Sequence, residues 1–512
     1  MAKIGVDFGT TNSMMVSYDK NSNSFEYHYY YGGKPATTSS TVWYYDDKIT
    51  VGNESREKMY QYVGVEGHHF EKSIKLKLGN TENISIFGEK VPPYKIAGAI
   101  INQLKKEAIK NKINKLDSDL NKAVFTIPIN FSGRARHDLR RSAHEAGIEI
   151  TTFIHEPFAA VVAYYFGKFG NNHQTVLNEL ERFNDQYLLT FDWGGGTLDI
   201  TVAQIQEGRI FEKGTAEMTN IAGDKFDEDI AKYVWHKFAD KLGNKYSDEY
   251  LEKIRLNKWG YLVSIAERCK IRLSTQESVD FLFEGITQHE DIDEIITRED
   301  LAKIIQKPLD DAMNKVEKAL NDAGINFNDV NSVLLTGGTC NIPAVQKALK
   351  DKFGHRVEIS SEPELLIAKG AAIIAEMEWM PILTKDILIQ LSDDSYWPMF
   401  ERNTLIGLTE EIKPKSETFV CVDNRNKIAK IIVKEGYGQN ANVTLGIINV
   451  PLFGSALFGD DIYVEGVIDK DIVLKVSAYS KMVQGARTPQ DEYTIKKSCE
   501  INKICFGLDF RR

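Results

Sequence analysis

The sequence has no long hydrophobic run. No segment approaches the ~18 uninterrupted apolar residues of a membrane-spanning helix, so none is expected. Cysteine is scarce. The five residues, Cys269, Cys340, Cys421, Cys499 and Cys505, are an odd count and mostly far apart. That argues against a disulfide framework and fits a reducing compartment. Cys499 and Cys505 lie close together, but no histidine or further cysteine completes a zinc set, so both read as structural thiols. A dominant charge is lacking too: 63 Lys and Arg face 73 Asp and Glu, a formal net charge of -10. A mildly acidic chain argues against non-specific nucleic-acid binding and against a basic membrane-surface protein. It leaves nucleotide binding open, because a pocket needs only local donors. Asp7 stands where a signal peptide would be apolar, so no targeting segment is expected and a cytoplasmic location is.

What is present is a chain of 512 residues, too long for one core, with two to four domains expected. Residues 4–13, Ile-Gly-Val-Asp-Phe-Gly-Thr-Thr-Asn-Ser, read as a strand, a tight turn at Gly9, and a second strand starting near Met14. Turn amides and the Thr10 and Thr11 hydroxyls can cradle phosphate. Asp7 can serve phosphate only through a hydrated Mg²⁺ between them. Alone, this is also ordinary hairpin chemistry. A second copy changes its weight. Residues 188–203 run Leu-Leu-Thr-Phe-Asp192-Trp-Gly-Gly-Gly-Thr197-Leu-Asp199-Ile-Thr-Val-Ala, about 185 residues later. Strand, Asp, aromatic, Gly turn, Thr and strand recur in that order. The repeat predicts a duplicated, two-lobed α/β domain with a cleft between the lobes.

The rest of the chain fits that frame. Residues 14–52 alternate as a meander. Ser73–Gly79 carries Lys75 between Ile74 and Leu76, which allows an apolar setting, but the stretch reads first as a solvated basic run. Ile96, Ile100, Leu104 and Ala108 share a helical face. A buried strand ends near Pro128, and Ser132 caps a helix that stops before Gly147. Glu156 stands before Pro157 at the start of a small-residue helix, where it could be only a dipole partner. Residues 167–187 read as an irregular insertion. A helix follows Gly223-Asp224, and a longer one over 249–274 puts Glu267, Lys270 and Ser274 on one face. Thr297 and Asp300 predict a capping box for a helix running to about Gly324. Residues 332–348 hold a third Gly turn, Gly337-Gly338, before a helix opened by Pro343. A helix over 363–377 packs closely at Gly370-Ala371-Ala372. Beyond a boundary at 380–392, strand-like segments dominate: 418–422, 428–434, 443–449, 461–468, 471–478 and 491–497.

The strings IGVDFGTTNS, HEPFAAVVAY, FDWGGGTLDITV and LLTGGTCNIPAVQ, in this order over residues 4–350, resemble the 70-kilodalton heat-shock protein (DnaK-like) chaperone family. DILIQL resembles the family's apolar interdomain linker, and IIVKEG, GIINVP and DIVLKVSA resemble strands of its peptide-binding domain. The resemblance implies an α/β fold: an actin-like duplicated two-lobed ATPase domain over 1–380, a linker over 381–392, and a small antiparallel β-sandwich over 393–512. It implies ATP or ADP with Mg²⁺ as cofactors. Gly9, Thr10, Thr11 and Asn12 would wrap the β-phosphate from one side, with Gly194, Gly195 and Gly196 on the other. Asp7 and Asp192 would hold Mg²⁺ through its waters. Lys75 would orient the attacking water, Glu156 and Asp199 would complete the acidic water-handling group, and Thr197 would touch the γ-phosphate. Gly223, Glu267, Lys270, Ser274, Gly337, Gly338, Asn341 and Glu364 would hold the nucleoside. Extended apolar peptides are the implied partners, with a J-domain co-chaperone and a nucleotide exchange factor.

Departures carry expectations of their own. Ile271 and Asn341 stand where the family commonly has two arginines sandwiching adenine, which predicts weaker adenine binding or an apolar face substituting for one arginine. Asn130 replaces a frequent tyrosine. Strand-like sequence continues almost to Arg512, where the family carries a helical lid, so either the lid is truncated or the protein is lidless, with fast, weak peptide exchange expected. Two other readings keep the fold: a small-molecule kinase, such as a sugar or acetate kinase, and a filament-forming actin-like protein. The trailing β-domain speaks against both.

Overall fold

A computed structural model describes residues 4–111, 120–169, 178, 182–360, 362–406, 414–420, 428–452, 461–481 and 496–509. Residues 170–177 and 179–181 of the expected insertion, Cys421, the end of the strand expected at 418–422, most of that expected at 491–497 and the last residues to Arg512 lie outside them.

Both Asp–aromatic–Gly segments are hairpin connections, and each sits in a sheet of the same design. In lobe I, strand Ile4–Phe8 runs antiparallel to Asn12–Asp19, with Asp7 opposite Met14. It pairs in parallel with Lys122–Ile127, which pairs in parallel with Glu149–His155, while Ser24–Tyr27 extends the other side. In lobe II, Tyr187–Trp193 runs antiparallel to Thr197–Gln206, with Asp192 opposite Asp199. It too pairs in parallel with a following strand, Val330–Thr336, and that one with Val357–Ile359, while Arg209–Thr219 extends the other side. The shared strand order bears out the duplication read from the two motifs.

Helices cover both faces of the parallel strands, so Ile4, Gly5, Val6 and Phe8 are buried and Asp7 is only partly exposed, rather than every second residue facing solvent. Helix Leu366–Met377 packs on Ile4–Phe8 and against helix Glu156–Phe169. Its small residues Ala371 and Ala372 permit that close approach. Ser132 accepts from Ala135 N at the start of helix Gly133–Glu145, and Thr297 and Asp300 form the expected capping box. The helix expected from there to Gly324 is two, Arg298–Ile304 and Gln306–Asp322, broken at Ile305. Pro308 supplies no N–H to continue the first helix and fits the opening turn of the second.

Two four-stranded antiparallel sheets follow. Here the structure differs from the boundaries read in the sequence. Asp386–Gln390, expected between domains, is an inner strand of the β-unit, paired with Tyr396–Phe400 and Ile428–Tyr437. Ile387, Leu388 and Ile389 are all buried, as in a strand covered on both faces, and an apolar run of that length fits such a strand as well as a linker. The connecting segment is itself a strand, Met380–Leu383. Phe506–Asp509, expected in the β-unit, joins the lobe II sheet instead. The β-unit also meets lobe I: Arg140 Nε lies 2.7 Å from Asp471 Oδ1, and Arg136 donates to the Asn502 carbonyl at 2.8 Å.

Candidate functional site

The two Gly–Thr turns face each other at the base of a cleft of about 680 Å³ between the lobes. They touch: a Cβ added to Gly195 would sit 2.0 Å from Thr11 Oγ1, so only glycine fits there. Each turn is held by its own network. Gly9 N donates to Ser13 Oγ at 3.2 Å, and Ser40 Oγ donates to Gly9 O at 2.9 Å. Across the cleft, Thr339 Oγ1 donates to Gly194 O at 2.8 Å, and Asp224 N donates to Gly195 O at 2.8 Å. Thr11 Oγ1 is buried and has no hydrogen-bond partner. A buried hydroxyl without a partner is costly, and a phosphate oxygen in the cleft would satisfy it.

Lys75 is not the solvated residue its neighbours imply. It sits in a single 3₁₀ turn, Ile74–Lys77, entered through Ser73 in the left-handed region at φ 56°. Ser73 Oγ donates to Asp224 Oδ2 at 3.2 Å. The turn points Ile74 and Lys75 inward. Lys75 Nζ reaches Glu156 Oε1 at 2.6 Å, and the two side chains are only 5% and 8% exposed. Glu156 therefore does more than face a helix dipole.

Three further carboxylates crowd this pair. Asp7 accepts from Thr126 Oγ1 at 3.2 Å. Burial, then Glu156, push the Asp7 carboxyl up to about 7 against the pull of Lys75. Asp199 is also pushed up to about 7, by burial and then by Glu156, and Asp192 is raised well above the usual carboxylate range by burial and by Glu156, Asp199 and Asp7. Burial pulls the Lys75 ammonium down, but Glu156 and Asp7 outweigh it and raise it. Four acids around one cation leave a deficit of positive charge, which a divalent ion would fill. Among the described residues, no three His, Cys, Asp or Glu side chains converge to clasp an ion directly. The donor set thus fits an ion held by Asp7 and Asp192 through its water shell.

The outer cleft gathers the remaining candidates. Glu267, Lys270, Ser274, Gly223, Gly337, Gly338, Asn341 and Glu364 all line it, as does Ile271. Lys270 Nζ donates to Gly223 O at 2.7 Å and pairs with Asp227 Oδ1 at 2.8 Å. Glu267 pairs with Arg56 of the opposite lobe. Of the candidate site residues named from the sequence, only Asp199 does not line the cleft; it sits opposite Asp192 across the hairpin. Sequence reasoning missed Arg56, Tyr60, Asp224, Asp227 and Thr339. Thr339 directly follows Gly337-Gly338 and Asp224 follows Gly223, so those glycine turns are a local signal for both, whereas Arg56, Tyr60 and Asp227 lie in helices that carry no such signal.

The family model for Hsp70 protein matches residues 3–503. The chain is 30% identical to the chaperone protein DnaK of Mycoplasma mobile, over 98% of this chain and 79% of that protein. It is 28% identical to the chaperone protein DnaK of Thermotoga neapolitana and likewise to that of Thermotoga petrophila, in each case over 98% of this chain and 83% of the relative. With the duplicated lobes, the facing turns and the trailing β-unit all in place, the chain belongs to the Hsp70 family.

Proposed function

We propose that this chain is an ATP-hydrolysing chaperone in which nucleotide in the interlobe cleft switches a β-unit that binds extended apolar peptide. The observation that carries this reading is the buried Lys75–Glu156 pair at 2.6 Å, set among Asp7, Asp192 and Asp199 where the two Gly–Thr turns meet. Thr10, Thr11, Asn12 and Gly194–Gly196 grip the β-phosphate, and Thr197 meets the γ-phosphate. Glu267, Lys270, Ser274, Gly337, Gly338 and Glu364 hold the nucleoside. Asp7 and Asp192 would hold Mg²⁺ through its waters, and the ion would supply positive charge for phosphoryl transfer. Lys75 Nζ holds a water in line with the γ-phosphate, and Glu156, backed by Asp199, receives its proton. Because the grip is divided between lobes, losing the γ-phosphate changes how the lobes hold each other.

Peptide binding is supported by strand Asn440–Pro451, where the apolar side chains Val443 and Ile447 are about half exposed. An extended apolar segment fits such a surface. A J-domain co-chaperone, a nucleotide exchange factor and a cytoplasmic location complete the reading; neither nucleic acid nor membrane is part of it. The test is ATP hydrolysis to free phosphate with and without an unfolded apolar peptide. Stimulation by peptide is expected. Loss of turnover in Lys75→Ala, with nucleotide binding kept, is the second expected result. Transfer of phosphate to a small acceptor would overturn the reading in favour of a kinase.

A further inference from the structure

The last described strand approaches the catalytic pair from outside the cleft. Phe506–Asp509 lies between two partners. On one side Asp509 and Leu508 pair with Arg209 and Ile210 of lobe II; on the other, all four residues pair with Met380–Leu383. Phe506 and Leu508 are buried. The fit around Gly507 is tight: an added Cβ would lie 2.2 Å from the Ile210 carbonyl oxygen and 2.8 Å from Thr384 Cγ2. Arg209 Nε lies 3.2 Å from Asp509 Oδ2. Just before the strand, Cys505 N donates to Glu435 Oε1 of the β-unit at 2.8 Å.

Phe506 packs on His155, with ring centroids 3.8 Å apart and the ring planes tilted by 35°. His155 ends strand Glu149–His155, and Glu156 opens the helix that follows. The imidazole is buried. Its Nδ1 has no hydrogen-bond partner, since the nearest acid, Glu212 Oε2, is 3.9 Å away. Packing against Phe506, and against Phe158 at 5.5 Å, therefore sets the ring's orientation. His155 and Glu156 are adjacent, so a shift of the His155 backbone is passed to Glu156, which meets Lys75 at 2.6 Å.

We propose that Phe506 is a positioning residue for ATP hydrolysis. By packing on His155, it fixes the backbone from which Glu156 reaches Lys75. Turnover then depends on the C-terminal strand being seated between lobe II and Met380–Leu383. This inference rests on the ATPase reading above.

The experiment measures steady-state ATP hydrolysis and ATP binding in the full chain. Phe506→Ala is expected to lower kcat about tenfold or more, with KM and Kd for ATP within about twofold of the unaltered chain. Phe506→Leu, which restores much of the packing, should recover most of that loss. Gly507→Ala displaces the strand without altering His155 or Phe506 and should reproduce the loss in kcat alone. Where Phe506→Ala does not fold, the milder Phe506→Leu and Gly507→Ala carry the test through a smaller loss of the same kind. Unchanged kcat, or a loss that follows only the fraction of folded protein, overturns the inference. An unaltered chain that turns over no ATP overturns the ATPase reading, and this inference with it.

Discussion

Arg56 of lobe I and Glu267 of lobe II form an ion pair across the mouth of the cleft, and the Tyr60 hydroxyl donates to the second carboxylate oxygen at 3.0 Å. Burial alone would raise the Glu267 carboxyl, but Arg56 and Lys270 outweigh it and hold the group below its usual range. The pair ties the two lobes together across the cleft. Arg56→Ala should remove about 1 kcal/mol of closure and speed nucleotide release roughly fivefold. Stopped-flow displacement of a fluorescent ATP analogue measures it, and an unchanged rate would show that the pair does not gate the cleft.

In the outer cleft, Ile271 and Asn341 take the positions where the family commonly carries two arginines. Ile271 is more than half exposed there, and Asn341 offers only a neutral amide. Ile271→Arg should tighten ATP binding by about 1 kcal/mol, roughly fivefold, through a cation over the adenine face. Titration calorimetry reads the change; equal affinities would mean that the apolar side chain already serves that face.

Lys75 and Glu156 are a buried pair, so removing one partner should cost more than removing both. Lys75→Met leaves Glu156 buried beside Asp7 and Asp199 without its cation, and a loss of about 3–5 kcal/mol is expected without nucleotide. Adding Glu156→Gln should recover much of it. Denaturant unfolding of the two singles and the double makes the comparison, and additive losses would show that the pair is not coupled.

Glu212 is buried at the junction of lobe II and the C-terminal strand, and burial first, then Glu435, push its carboxyl up to about 7 against Lys503 and Lys385. Between its ordinary value of 4.5 and 7, the folded chain holds a proton that the unfolded chain has lost. The unfolded state binds fewer protons there, so this group lowers stability as pH rises through that window, by up to ~3 kcal/mol above it. Glu212→Gln should flatten the fall. Urea unfolding at pH 5 and pH 8 checks it, and an identical slope in the variant would refute the assignment.

Much of the site could be read from the chain because its parts are local. Asp7 through Asn12 and Asp192 through Thr197 are each a turn between two strands, and a turn needs its own residues rather than distant ones. Ser132, Thr297 and Pro343 mark helix starts for the same reason. Lys75 was misleading. Its neighbours are those of a surface run, and only one 3₁₀ turn opposite Glu156 buries it. The run Asp386–Gln390 misled too, since a short apolar stretch serves equally as linker or inner strand until its partners are known.

The sequence alone determined the duplicated hairpins, the two lobes they organise, the glycines and hydroxyls that line the cleft, and a β-rich end. Backbone sterics and short-range hydrogen bonding write these features into a few adjacent residues. The tertiary structure decided which distant charges meet and which strand edges are taken. Arg56 and Glu267 lie 211 residues apart in the chain and meet only in the folded cleft. Phe506–Asp509 reads as one more strand of the β-unit, but the open edge beside Arg209 and Ile210 and the buried face of His155 place it in lobe II. An unpaired edge satisfies its N–H and C=O groups with whatever strand the rest of the fold delivers, and no local pattern names that partner.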